Sequence, residues 1–121
     1  VAYDRFTFSA NTSLHFVMLL QAIEGELPVQ TISFVEPAMI KRFYLASYGL
    51  IDYLIKIVDR AVWLVQVQDL VGIELPVLAQ AFEDEVWSYA TEDRNPFSAS
   101  FNFQPLFGKR EPFETFEESS T

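Results

Sequence analysis

The sequence predicts a mainly α protein. A small domain of about four helices occupies residues 1–95, with short strands near 3–8, 28–35 and 63–75. An extended, aromatic-rich C-terminal arm follows over residues 96–121. Three observations carry this reading. Apolar residues recur at spacings of three and four in separate stretches, as one face of a helix requires. Pro37 and Pro76 stand where a helix can begin, because the first helical residue has no use for its N–H. From Pro96 onward no periodicity survives, and Pro105 and Pro112 keep the backbone open.

In chain order, "YDRFTF" places Phe6 and Phe8 on one side and Arg5 and Thr7 on the other, the alternation of a short strand. Asn11, Thr12 and Ser13 can each cap a helix start. The helix that follows is apolar on nearly every side and ends at Gly25, which predicts either deep burial or a place sandwiched between neighbours. Residues 28–35 alternate weakly, with Ile32 and Phe34 on one face. The next helix runs from Pro37 to Gly49. A further one begins at Ile51, where Leu54, Ile55, Val58, Ala61, Val62 and Val65 form a stripe. Asp52 and Lys56 add a favourable i, i+4 pair. From Trp63 the β-branched "VQVQ" pattern introduces a strand as an alternative over 63–75. After Pro76, the residues Leu78, Ala81, Phe82, Val86 and Tyr89 line one side of an amphipathic helix. "TEDRNP" stops it, because the residue before a proline disfavours helix.

Composition narrows the function classes. The chain has 121 residues, half of them apolar and 16% aromatic, which is not the composition of a disordered chain. There is no cysteine, so disulfides and thiolate metal sites are excluded. The net charge of −9 is lopsided. Residues 1–68 are nearly balanced, whereas 69–121 are strongly acidic, with Arg94, Lys109 and Arg110 as their only bases. Phosphate binding needs clustered Lys and Arg, so no nucleic-acid partner is expected. No apolar run is long enough to span a bilayer, since Asp52, Lys56, Asp59 and Arg60 interrupt the best one.

Residues capable of chemistry are sparse and unpatterned. His15 is the single histidine and lies among Leu14, Phe16, Val17 and Met18. A general base needs an oriented partner, so a ring tucked against apolar neighbours is the stronger reading. Glu83, Asp84 and Glu85 sit on a predicted helix, which splays carboxylates around its axis. They read as a solvated face rather than a calcium loop. The four glycines are isolated, and no phosphate-cradling loop can be drawn from them. Trp63 and Trp87 read as core or rim packing. No catalytic residue, metal site or cofactor is expected.

The tail is the most informative segment. Six of the twelve phenylalanines fall in it: Phe97, Phe101, Phe103, Phe107, Phe113 and Phe116. Ring burial alone does not offset the entropy of ordering that length of chain. The tail therefore needs backbone hydrogen bonds or a surface larger than this small domain offers. Aromatic anchors on extended arms grip neighbouring subunits at low side-chain entropy cost. The expectation is a non-enzymatic structural or accessory subunit of a larger protein assembly. Its partners are copies of itself or different protein chains. A virion, a phage head–tail apparatus or a bioenergetic complex suits it. The six rings plug pockets on a neighbour, and Lys109 and Arg110 pair at the rim. Wrapping of the tail around its own domain is the plainer alternative. A second function class is an acidic antagonist covering a basic surface of its target, and a third is a ligand binder with an apolar pocket between helices.

Overall fold

The computed structural model describes residues 12–106 and 110–113. The strand expected at 3–8 and the residues Phe107, Lys109 and Phe116 lie outside that range. Among the described residues, four α-helices account for most of the regular structure. They are α1 (Thr12–Gly25), α2 (Pro37–Ser47), α3 (Ile51–Val67) and α4 (Leu75–Glu85). Two-residue strands β1 (Gln30–Thr31) and β2 (Gly72–Ile73) pair in parallel, and a 3-10 turn covers Glu92–Arg94.

The helix boundaries follow local chemistry. Pro37 and Pro76 stand in the first turns of α2 and α4, as expected. α2 ends in a double left-handed turn, with φ of 53° at Tyr48 and 74° at Gly49. The Gly49 N–H reaches back to the Tyr44 carbonyl, and Ser47 Oγ donates to the Phe43 carbonyl. α3 closes in the same manner. Asp69 takes φ 56°, and the Leu70 N–H donates to the Val65 carbonyl. Asp tolerates that conformation better than most residues. The "VQVQ" stretch therefore completes a helix, and the strand of this region is confined to Gly72–Ile73.

The ladder is short because the strands meet backbone to backbone. A Cβ on Gly72 would stand 2.6 Å from the Gln30 carbonyl oxygen. The Ile32 N–H extends the pairing to the Ile73 carbonyl. Both strands fall within stretches read as strand from the sequence, 28–35 and 63–75, and their pairing partners lie some forty residues apart.

α3 is the central element. It packs chiefly on α4 and then on α2. Leu54, Ile57, Val58, Ala61, Leu64 and Val65 are buried along it. α4 contributes Leu78, Ala81 and Phe82. It stops at Glu85, short of the stripe expected to continue to Tyr89. The Val86 and Trp87 N–H groups both converge on the Phe82 carbonyl, and the chain turns so that Trp87 packs half-buried against the core. Tyr89 is left 84% exposed. Of the two placements expected of it, α1 does not take deep burial. Phe16 and Leu20 face the core, but Leu14 and Met18 are 60% and 56% exposed.

Candidate functional site

The described C-terminal residues share the core of the helices. Phe97, Phe101, Leu106 and Phe113 are buried in it. Phe97 meets the Phe43 ring edge-on, with centroids 5.1 Å apart, and Phe43 in turn contacts Phe34. Phe113 stacks on Tyr48 at 5.3 Å and meets Tyr53 edge-on. Phe103 is half-buried beside Phe101, with the Arg42 guanidinium 4.9 Å from its ring centre. Arg110 is exposed.

Three polar side chains tie this irregular segment down. Arg42 Nη1 donates to the carbonyls of Pro96 and Ser98 at 2.8 and 2.6 Å. Burial holds that guanidinium below its ordinary pKa. Arg94 makes a two-point contact with Glu111, through Nε to Oε2 and Nη2 to Oε1, both at 2.7 Å. It also donates to Asn102 Oδ1 and the Pro105 carbonyl. Asn95 is buried, donates to the Ala79 carbonyl and Glu83, and accepts from the Phe97 N–H. Backbone carbonyls that would otherwise be orphaned are thereby paired.

The remaining residues singled out by sequence do not converge. His15 stands exposed on α1 instead of tucking into an apolar surround. The 83–85 acids divide their partners. Glu83 accepts from Asn95, Asp84 from Gln80, and Glu85 pairs with Arg60 at 2.7 Å. Among the described residues no group of three His, Cys, Asp or Glu stands together to hold a metal ion. Among them, too, no helix is long and apolar enough to cross a membrane.

The feature with the clearest capacity for recognition is an apolar groove of about 560 Å³ between α1 and α3. One wall is Ala22, Ile23, Leu27 and Pro28, from the end of α1 and the turn after it. The other is Ile55, Val62 and Trp63 on α3, with buried Val58 at its base. Trp63 is 49% exposed. Its ring is held by the Arg60 guanidinium 4.7 Å above it, and Glu85 holds Arg60. Leu14, Met18 and Ala22 recur every fourth residue on α1, so the apolar surface continues beyond the groove along one helical stripe.

The groove was not legible in the sequence, where Ile55 and Val62 belong to the same stripe as buried Leu54 and Val58. The one local hint is Trp63, which falls beside that stripe rather than in it. Comparison with family models, with curated proteins and with solved structures finds no match for this chain.

Proposed function

We propose that the protein is a non-enzymatic structural or accessory subunit that works by docking on another protein. The observation that supports this is the open apolar face of α1 and α3, where exposed Ile55 and Trp63 line the groove and exposed Leu14 and Met18 continue the surface along α1. Single exposed apolar residues are ordinary, but a contiguous set lining a concavity marks an interaction surface. Trp63 has the character of an interface anchor: large, oriented by its neighbours and reachable. Docking is assigned to this face because the core already takes up Phe97, Phe101 and Phe113.

The test is co-purification of the tagged chain from its source, wild type beside Trp63→Asp. A defined protein retained by the wild type and lost by the variant, with unchanged circular dichroism, is the expected outcome. Retention by both, or by neither, overturns the proposal.

The acidic-antagonist reading draws on a different observation. Asp69, Glu74, Asp84, Glu92 and Asp93 are all exposed. Binding led by those charges weakens steeply as ionic strength rises, whereas binding led by apolar docking barely changes.

A further inference from the structure

We infer that the α1–α3 groove receives a basic amphipathic helix of about three turns, presented by a protein partner. The inference rests on the docking proposal above and adds the chemistry of the occupant.

The walls decide the backbone of that occupant. The α3 wall is built of helix side chains, whose backbone groups are paired within α3. The α1 wall ends in the turn 26–28, where the Glu26 and Leu27 N–H groups already donate to the Ile23 and Glu24 carbonyls and Pro28 has no N–H. A segment entering between them finds no strand edge to hydrogen-bond with. It must satisfy its own N–H and C=O groups, and a helix does so. The groove runs along α3 from Ile55 to Gln66, a rise of about 16 Å, or roughly three helical turns. A helix of that length offers apolar anchors at i, i+3 or i+4, and i+7.

The rim decides its charge. The two charged residues lining the groove are Glu26, on the α1 side, and Asp59, on α3. Among the described residues neither carboxylate makes an ion pair. The cations of α3 stand beside the groove but have partners of their own. Arg60 is drawn to Glu85 and the face of Trp63, and Lys56 Nζ lies 5.6 Å from the Tyr53 ring centre. An incoming helix with Lys or Arg flanking its apolar stripe meets a carboxylate on either side. A second copy of this chain brings a charge of −9 against the same sign.

The test uses the full chain with Trp87→Phe, so that Trp63 is the sole tryptophan. The probes are a 14-residue Leu/Lys amphipathic helix and a Leu/Glu helix of the same pattern. The Leu/Lys helix should shift Trp63 emission to the blue and bind at least tenfold more tightly than the Leu/Glu helix. Joint Glu26→Lys and Asp59→Lys substitution should weaken it about tenfold. Joint Asp84→Lys and Glu92→Lys, an equal charge change away from the groove, should alter it less than twofold. Equal binding of both helices, or equal loss from both double variants, overturns the basic partner while leaving docking at the groove intact. No Trp63 response to either helix sinks both readings. A blue shift with phosphatidylcholine vesicles instead assigns the face to lipid. Self-association by light scattering that Trp63→Asp abolishes assigns it to a second copy.

Discussion

α1 and the segment from Asn95 to Phe113 treat their apolar side chains in opposite ways. α1 is regular and apolar on nearly every side, yet Leu14, Met18 and Ala22 face outward. The described residues of the C-terminal segment have almost no regular structure, yet Phe97, Phe101, Leu106 and Phe113 are buried. The difference lies in anchoring. The segment is bound to α2 by Arg42, to α4 by Asn95, and to the 3-10 turn by the pairing of Arg94 with Glu111. Those bonds order the backbone, and each buried ring then adds its transfer free energy against the loss of its own rotamer freedom alone. Among the described residues, α1 has a comparable tie in the Glu24 carboxylate, which accepts from the Phe34 N–H at 2.9 Å. Hydrophobicity of a segment thus says how much a protein gains by covering it, and polar anchors say whether this chain provides the cover.

Substitutions can break that contrast, and their effects should descend in order. Phe97→Ala removes a ring 1% exposed and should destabilise the fold by about 3–5 kcal/mol in urea denaturation. A loss below about 1 kcal/mol would mean that the segment does not belong to the core. Arg94→Ala should cost about 2–3 kcal/mol, because it strands Glu111 and the carbonyls that Arg94 serves. Glu111→Gln should cost less, since an amide still accepts a hydrogen bond from the guanidinium. Equal losses for the two variants would count against the carbonyl contacts. Gly72→Ala should cost about 1–3 kcal/mol, because the new methyl meets the Gln30 carbonyl and parts β1 from β2. Hydrogen exchange at the Ile32 amide reports that opening directly. Ile55→Ser, on the groove, should change stability by about 0.5 kcal/mol or less. A larger loss would place the α1–α3 face in the core and remove the basis for docking there.

Local chemistry made the helices readable, and distant pairing made the rest unreadable. Pro37 and Pro76 mark two helix starts because their effect is confined to one turn. The end of α4 escaped, since Val86 and Trp87 answer to a core contact rather than to the stripe they extend. The stretches holding β1 and β2 were read as strand, but their pairing escaped because its signal is a glycine at position 72 whose reason lies at Gln30. The rings of the tail were visible as a cluster. The burial of Phe97, Phe101 and Phe113 depends on Arg42 and Arg94, which look like ordinary surface cations until the carbonyls they serve are in place. The groove is a shape shared by walls 27 or more positions apart, and no short window of the sequence contains both.

The stacking of Phe113 on Tyr48 and Tyr53 has a consequence for synthesis. A ribosome adds about 5–20 residues per second, so the turn between α2 and α3 waits about 3–13 s for the ring that covers it. Throughout that interval a nascent chain with α2 and α3 already made displays two uncovered tyrosines beside an open apolar seam. Chains stalled just before Phe113 should therefore engage hydrophobic-surface chaperones more strongly than chains released past it. Crosslinking to trigger-type chaperones at the two lengths measures the difference, and folding of this protein is in that sense completed from its far end.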